Sequence, residues 1–495
     1  MIEDIRESGL PDKERLIGLL ASVQTCTRCG KCKQVCPMLD PVSSFYYHPR
    51  NKNMVLGAII EAIYYSQINK GKPDASILAE LRNMVEHCTG CGRCTAVCPV
   101  KIPSADVALE LRAFLEEEGA GGHPVKSRVL NWLVRDPSRR IPKAVKMAAL
   151  GQRMQNRIIG IAPQTFRRHL YNPLFSGKGP EPGYANLYEA LRLDHGNIFM
   201  ERREPAEGQT QDAVLYFPGC GGSLLSRTIG FSVLGLLLRT GVAVVMPDRH
   251  LCCGYPLLSA GDDGAFRGNL ENNRKELRSV IARAEARGLR VTHVITACGS
   301  CREGIERHDL STLLPQTEDG ESRELIHQDV MQFVLPRLEG RPGLYEGPLL
   351  YHASCHPEWV GVHKVKGVVK QAGALSAFTG ADVIVSPGCC GESGMGSIAS
   401  PLVYNPLRKR KMAVLEQELR DYPAQRPILV GCPSCRVGIA RSLISLRVRR
   451  PVLHTAEWLA IQLFRENWGE KWFRVFRRRI ALRADERGIR MVDFD

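Results

Sequence analysis

The residues of this chain best suited to chemistry are its cysteines. There are eighteen in 495 residues, and each falls into a repeated spacing. Cys26, Cys29, Cys32 and Cys36 stand at x2, x2 and x3 intervals with Pro37 behind them. Cys88, Cys91, Cys94 and Cys98 repeat that spacing 62 residues later, with Pro99 behind. A third group joins Cys220, the adjacent pair Cys252-Cys253-Gly254, and Cys298 with Cys301. A fourth joins Cys355, Cys389-Cys390-Gly391, and Cys432 with Cys435, offset from the third by 134–137 residues. Thiolates at such intervals are soft, electron-rich ligands, and the chemistry that suits them is holding iron and moving electrons.

The C-x2-C-x2-C-x3-C-P run is the spacing of two-cluster iron–sulfur proteins, in which the fourth cysteine ligates the other cluster. Cys26, Cys29, Cys32 and Cys98 are therefore expected on one cubane [4Fe-4S] cluster, and Cys88, Cys91, Cys94 and Cys36 on the other. A zinc site would call for paired C-x2-C units closing a single tetrahedron, which this doubled 2-2-3 spacing does not resemble. Disulfides are disfavoured by the tight clustering and by a start, Met1-Ile2-Glu3-Asp4, that shows no export signal. Each adjacent-cysteine group offers five thiols, one more than a cubane requires. Neighbouring cysteines can cap different irons of an extended cluster, and Gly254 and Gly391 permit the sharp turn such a site needs.

The elements that must position these groups follow from hydrophobic pattern. Between the first two motifs, Leu56, Ile59, Ile60, Ile63, Leu78, Leu81 and Val85 read as helix, interrupted by Gly71-Lys72-Pro73. Residues 1–120 are thus expected to be a helical two-cluster ferredoxin domain. Residues 211–460 read as strands ending at cysteines: 213–217 before Cys220, 242–247 before Cys252, 291–297 before Cys298, then 348–352, 381–385 and 427–431. Helical segments lie between them, Leu224–Arg239 and Ala265–Arg287 in the first half. Alternating strands and helices imply parallel sheets, whose sites form beyond the carboxyl ends of the strands. The fold expected is α+α/β, the ferredoxin domain followed by two tandem α/β domains at 211–340 and 341–460. A basic helical connector at 121–210, closed by Pro and Gly around 173–183, and a basic C-terminal helix and tail at 461–495 complete the division.

The formal charge of +15 counts every cysteine as neutral, whereas cluster ligands are thiolates. Much of the excess sits between Pro124 and Leu170, where eleven Lys and Arg face one acid, Asp136. With Val129, Leu130, Trp132 and Leu133 among Lys126, Arg128 and Arg135, this stretch could lie on an anionic membrane surface or meet an acidic partner, though a solvated face is the plainer reading. The tail from Trp468 to Arg490 has the same character. No nucleic-acid recognition motif accompanies the charge. The longest apolar run, Ile229 to Leu238, is half of the ~20 residues of a membrane span and reads as a buried helix. A cytoplasmic protein is expected, able to sit peripherally on the inner face of the cell membrane.

Among other residues, His352 and His356 flank Cys355, and His293 precedes Cys298. They read first as structural histidines, with hydrogen bonds to cluster sulfurs or proton donation as the functional alternative. Glu392 reads first as a helix N-terminal acid, with a supporting contact to the cluster ligands as the alternative. Gly391-x2-Gly394-x-Gly396 is tied to the cysteine turn and is a poor dinucleotide fingerprint.

The two five-cysteine groups resemble the CCG domains of the heterodisulfide reductase catalytic subunit, and of the iron–sulfur subunits of glycolate oxidase, anaerobic glycerol-3-phosphate dehydrogenase and lactate-utilisation proteins. Tyr216-Phe-Pro-Gly-Cys220, Leu251-Cys-Cys-Gly-Tyr-Pro256, Cys389-Cys-Gly-Glu-Ser-Gly394 and Glu466-Asn-Trp468 are similar to the C-terminal iron–sulfur half of FAD-linked, D-lactate-dehydrogenase-like oxidase fusions. The resemblance implies noncubane [4Fe-4S] clusters at complete CCG motifs, and both motifs are complete here. It implies electron transfer from an FAD-linked oxidase subunit that oxidises a 2-hydroxy acid, with FAD on the partner chain, to a quinone, a cytochrome b or another carrier. The alternative it implies is disulfide cleavage at the noncubane clusters, with electrons flowing inward.

Overall fold

The computed structural model describes residues 12–39, 47–68, 74–121, 124–161, 186–202, 211–314, 323–340, 344–356, 364–392, 401–464, 478–481 and 483–494. The break expected at 71–73, the Pro and Gly punctuation at 173–183, Gly394, Gly396, the Glu466-Asn467-Trp468 phrase and most of the basic tail lie outside these residues.

The first cysteines are carried by helices: α1 (Asp12–Gln24), α2 (Pro49–Ile68), α3 (Ala75–Glu86), α4 (Arg93–Val97) and α5 (Ser104–Glu117). Leu19, Leu56, Ile60, Ile63, Leu81, Val85, Val107 and Leu111 meet in one core. Asp74 caps α3 by accepting from the amide of Ser76, which satisfies one of the orphan N–H groups of a helix start. Nearly all of α5 is buried. A helix is apolar all round when it lies between two bodies, and Leu109 of α5 belongs to the neighbouring core while Val107 and Leu111 serve their own.

Helices α6 (Pro124–Arg135), α7 (Pro137–Ile161) and α8 (Leu187–Leu191) follow, the last closed by a full capping box between Asn186 and Glu189. Then come β1 (Ile198–Glu201), β2 (Gln211–Tyr216), α9 (Arg227–Arg239), β3 (Ala243–Val245), α10 (Tyr255–Ala260), α11 (Asp263–Glu285), β4 (Leu289–Thr296), α12 (Gly299–Ile305), β5 (Ile326–Asp329) and α13 (Val330–Val334). The second half repeats the plan with β6 (Pro348–His352), α14 (Lys364–Thr379), β7 (Asp382–Ser386), α15 (Pro401–Glu418), β8 (Ile428–Val430), α16 (Pro433–Leu446), β9 (Val452–His454) and α17 (Thr455–Phe464), and β10 (Arg490–Val492) ends the described chain. The apolar run Ile229–Leu238 is the buried body of α9.

The strands make two sheets, ordered β10-β1-β3-β2-β4-β5 and β7-β6-β8-β9. The shared motif β3-β2-β4-β5 and β7-β6-β8-β9 is wholly parallel and has the same order in both halves. One pairing departs from the expected parallel pattern. β1 runs antiparallel to β3, with β10 parallel outside it, so a segment before the repeat and one after it cover the first sheet's edge.

Alternate residues of each strand face opposite sides. Ala213, Leu215 and Phe217 join Leu350, Ile428 and Val430 in one core, while Val214 and Tyr216 join Leu349, Tyr351 and Leu429 in another. Both cores therefore run through both halves, and the two sheets are packed together through them. The ferredoxin unit is fastened to it by Arg112 on α5. That guanidinium donates to the carbonyls of Ser259 (2.9 Å), Val85 (2.7 Å) and Cys88 (2.6 Å). Among the described residues no helix is long and apolar enough to cross a membrane.

Candidate iron–sulfur centres

In the ferredoxin unit the cysteines line two hollows. One is bordered by Cys26, Cys29, Cys32, Cys94 and Cys98, the other by Cys36, Cys88, Cys91 and Cys94. The fourth cysteine of each motif thus stands with the first three of the other. The turns that build them match position by position: Arg28 and Gly30 in the first motif, Gly90 and Gly92 in the second, all have positive φ. Cys29 is exposed, while Cys36 is buried enough that its thiol is pushed up to about 12. The second hollow is therefore the inner one.

The other ten thiols lie beyond the carboxyl ends of the strands, where a parallel sheet places its sites. They form an unbroken chain of neighbouring sulfur groups. Cys220 contacts Cys252, which contacts Cys253, then Cys301 and Cys298. In the second half Cys355 contacts Cys389, then Cys390, Cys435 and Cys432. The two runs join where Sγ of Cys298 lies 3.9 Å from Sγ of Cys432. Cys298 and Cys432 each stand at the N-cap of a helix, α12 and α16, in extended conformation.

Two further contacts are reciprocal. A Cβ on Gly299, the residue after Cys298, would fall 2.8 Å from Cβ of His356, the residue after Cys355. A Cβ on Gly221, after Cys220, would fall 2.4 Å from Cγ of Pro433, after Cys432. Equivalent residues exchange equivalent contacts, the mark of a two-fold relation. The halves face each other through their sites.

Crowding sets the electrostatics. Hydrogen bonds from neighbouring thiols hold Cys252 and Cys432 well below the ordinary thiol range and bring Cys390 down to about 5. The thiols of Cys220, Cys253, Cys301, Cys355 and Cys435 are raised well above it, first by the thiol neighbours to which they donate and then by burial. Ten crowded sulfurs, eight of them on buried residues, cannot all ionise without positive charge among them. Iron supplies that charge, and an all-thiolate donor set is the one iron–sulfur clusters take. The residues fit the group.

Glycines admit this packing. Gly254 and Gly391 have φ of +80° and +72°, which residues with a Cβ rarely adopt, so each turns the chain directly after its cysteine pair. Gly304 and Gly438 make a close approach instead: a Cβ on either would sit 2.6–2.7 Å from the carbonyl oxygen of Cys253 or Cys390. Sequence reasoning missed this second pair, although C-x2-G occurs in both halves, at Cys301–Gly304 and Cys435–Gly438.

Other neighbours were also missed. Arg93, between Cys91 and Cys94, donates to the carbonyls of Ala353 (3.3 Å) and Ser354 (2.9 Å). Burial opposes its charge, but Cys355, Cys91, Cys389 and Cys435 outweigh burial and hold the guanidinium charged. Arg93 thus stitches the inner ferredoxin hollow to the second five-cysteine set. His250 stands 3.5 Å from Sγ of Cys220 and 3.1 Å from Oγ of Ser223. Lys411, 1 % exposed, donates to the Pro387 carbonyl at 2.8 Å and to the Ser386 hydroxyl, and burial brings it down to about 8.

The singled-out residues divide. His293 packs edge-on against Phe333 and hydrogen-bonds Thr292, away from the sulfurs. His356 pairs with Glu303 at 2.7 Å. His352 is fully buried, and one of its ring nitrogens lies near the sulfurs of Cys390 and Cys435. Glu392 is buried between Arg441 (2.7 Å) and Arg408 (3.3 Å), because a carboxylate beside the thiols needs cations of its own; the residues that would form a helix behind it lie outside the described ones.

The chain matches the 4Fe-4S dicluster domain over residues 22–102 and the cysteine-rich domain over 214–306 and 349–440. It is 21% identical over 461 residues to a subunit of the fumarate reductase (CoM/CoB) of Methanothermobacter marburgensis, covering 89% of this chain and 71% of that one. It is 21% identical over 396 residues to the glycolate oxidase iron-sulfur subunit of Escherichia coli K12, covering 80% and 85%. Lactate utilization protein A of Bacillus cytotoxicus is 22% identical over 257 residues, half of this chain and 98% of that protein. No solved structure matches the chain.

Proposed function

Because this chain belongs to the CCG-domain iron–sulfur oxidoreductases, we propose that it is the electron-transferring subunit of an FAD-linked dehydrogenase for 2-hydroxy acids of the D-lactate or glycolate type. The observation that carries this reading is the order of the thiol sets. The exposed ferredoxin hollow, the inner one, the second five-cysteine set and the first stand in a row, with Arg93 and the Cys298–Cys432 contact as the joints. Bound [4Fe-4S] clusters supply the one-electron carriers.

In this reading Cys26, Cys29, Cys32 and Cys98 hold one cubane, and Cys88, Cys91, Cys94 and Cys36 the other. Cys220, Cys252, Cys253, Cys298 and Cys301 hold a noncubane cluster, and Cys355, Cys389, Cys390, Cys432 and Cys435 a second. The chain's own residues set spacing and exclude water. FAD sits on a partner oxidase subunit in this reading; relatives named as subunits of glycolate oxidase and of anaerobic glycerol-3-phosphate dehydrogenase support the existence of partner subunits. The acceptor is a quinone, a cytochrome b or a comparable carrier. The division of the chain at 120, 210, 340 and 460 belongs to the same proposal, with β1 from the connector and β10 from the tail added to the first CCG sheet.

The site of membrane contact in this reading is the outer face of α6 and α7. Val129, Trp132, Met147, Leu150 and Met154 are exposed there, Met147 by 75%. Arg139, Lys143 and Arg157 are exposed beside them. An apolar stripe edged by cations suits the anionic inner surface of the cell membrane, where a quinone is dissolved.

A second reading is favoured by the completeness of both five-cysteine sets and their contact. Two electrons entering through the ferredoxin unit, with two protons, would cleave a disulfide at that junction into two thiols. Anaerobic purification from source cells with flavin read in the eluate separates the two. A stoichiometric flavoprotein, with dye reduction by D-lactate or glycolate, is the expected result. Flavin-free protein that cleaves a disulfide with a low-potential donor would replace the first reading with the second.

A further inference from the structure

At the end of its first strand the second half of the repeat holds a buried imidazole where the first half has an apolar side chain. His352 ends β6, three residues before Cys355, between Ser386 of β7 and Val430 of β8. Its exposure is 0 %, and neither ring nitrogen has a hydrogen-bond partner. A ring nitrogen and the sulfurs of Cys390 and Cys435 all lie within 4.8 Å of one another. In the first half the corresponding residue, three before Cys220 at the end of β2, is Phe217, equally buried.

Buried polar groups are seldom left unpaired, because each has given up water for nothing in return. An apolar residue serves this position in the first half, so the fold does not need an imidazole here. What the second half adds must act on the sulfurs. The cations on the other sides, Lys411 and Arg93, are themselves donors and cannot accept a ring N–H. Lys411 is directed at the Ser386 hydroxyl and Pro387 carbonyl, and Arg93 at the Ala353 and Ser354 carbonyls. Among the described residues, the sulfurs of Cys390 and Cys435 are acceptors within 4.8 Å of a ring nitrogen.

We propose that His352 is a positioning and tuning residue of the second five-cysteine site, donating a ring N–H to the thiolate of Cys390 or Cys435 when iron is bound there. This rests on the reading of that site as an iron–sulfur centre, not on which substrate the complex oxidises. A hydrogen bond to a ligating sulfur stabilises the more negative, reduced state and raises the reduction potential. His352 therefore raises the potential of the second CCG centre; the first has a different imidazole, His250, 3.5 Å from Sγ of Cys220.

The test uses the full chain, purified anaerobically with its iron, as native protein, His352→Phe and His352→Asn. Phe is the residue the first half carries, so the fold is expected to accept it; Asn keeps an N–H donor in a smaller side chain. Iron content and potentiometric titration followed by electron paramagnetic resonance are the readouts, with exchangeable-proton couplings compared in H2O and D2O. His352→Phe is expected to retain iron, shift one CCG signal to lower potential, leave the other signals in place, and lose an exchangeable-proton coupling. His352→Asn is expected to recover part of the shift. Unchanged potentials and couplings in His352→Phe would overturn this inference alone. A directly coordinated nitrogen in the native protein that vanishes in His352→Phe would also overturn it, making the residue a ligand rather than a donor. A native chain with no CCG signal at all would remove the iron–sulfur reading of the site together with the inference.

Discussion

The sulfurs of Cys298 and Cys432 lie 3.9 Å apart, although 134 residues separate them in the chain. Each follows the strand that is third in its repeat and starts the next helix. Their contact is therefore a meeting of like with like, and the reciprocal Gly299–His356 and Gly221–Pro433 approaches extend it. A duplicated unit has turned its site toward its own copy. Two buried thiol sets become one continuous sulfur surface, which neither half provides alone.

Cys432→Ser tests that continuity. Filling all four sets implies about 16 iron atoms per chain, of which about 8 belong to the ferredoxin unit. Because Cys432 touches the first set as well as serving the second, its loss is expected to disturb the signals of both. The two cubane signals are expected to persist, since their hollows are lined by other cysteines. Anaerobic iron analysis with electron paramagnetic resonance checks this, and loss of every signal together would argue against separable centres.

Arg28→Gly is expected to stabilise the ferredoxin unit. Arg28 holds φ +59° where the second motif has Gly90 at +67°. A side-chain-bearing residue there costs roughly 1–2 kcal/mol, against about 0.5–1 kcal/mol for the extra freedom glycine loses on folding. A gain of up to ~1 kcal/mol should appear as a raised thermal midpoint. The converse change, Gly90→Ala, should destabilise, because its Cβ would also lie 3.0 Å from the Tyr255 hydroxyl. Equal midpoints for Arg28→Gly and the native chain would show that the turn is not strained.

Met147→Glu combined with Met154→Glu tests the membrane face. Both residues are more than half exposed, so folding stability should change by less than about 0.5 kcal/mol. Co-sedimentation with vesicles containing anionic lipid should fall several-fold in the variant and fall with added salt in the native chain. Binding that the substitutions leave untouched would move the contact elsewhere.

Acid stability should depend on His308 and His327. Burial takes them down from an ordinary value of 6.5 to about 4 and about 3, with Arg274 adding to the first and Arg302 to the second. Their folded values are depressed, so the unfolded chain binds more protons just below 6.5. Their contribution is complete above 6.5 and is lost as pH falls toward 4, by roughly 1.4 kcal/mol per pH unit for each group. His327→Gln should flatten the slope of denaturant midpoint against pH over that window. An unchanged slope would show that His327 gains its proton without unfolding.

The strand ends were legible because short apolar runs stop at cysteines: the runs expected at 213–217, 291–297 and 427–431 form as Gln211–Tyr216 before Cys220, Leu289–Thr296 before Cys298 and Ile428–Val430 before Cys432. β5 and β9 were not singled out in advance. Ile326-His-Gln-Asp329 and Val452-Leu-His454 are short and carry polar residues, and their pairing to β4 and β8 comes from the sheet rather than from their own pattern. β1 and β10 were hidden because both are short; β10 is the edge strand and pairs with β1 almost 300 residues away, while β1 lies between it and β3.

What the sequence determined by itself was the chemistry and the repeat. Ligand type and local spacing are properties of neighbouring residues, and a duplicated pattern shows as an offset. What only the tertiary structure decided was adjacency: Cys298 against Cys432, Arg93 against the carbonyls of Ala353 and Ser354, and an unpartnered His352 beside Cys390 and Cys435. Those contacts join residues 38 to 261 positions apart. Spacing along the chain carries no record of them, because they are set by how two sheets share their cores and by where buried polar groups find partners.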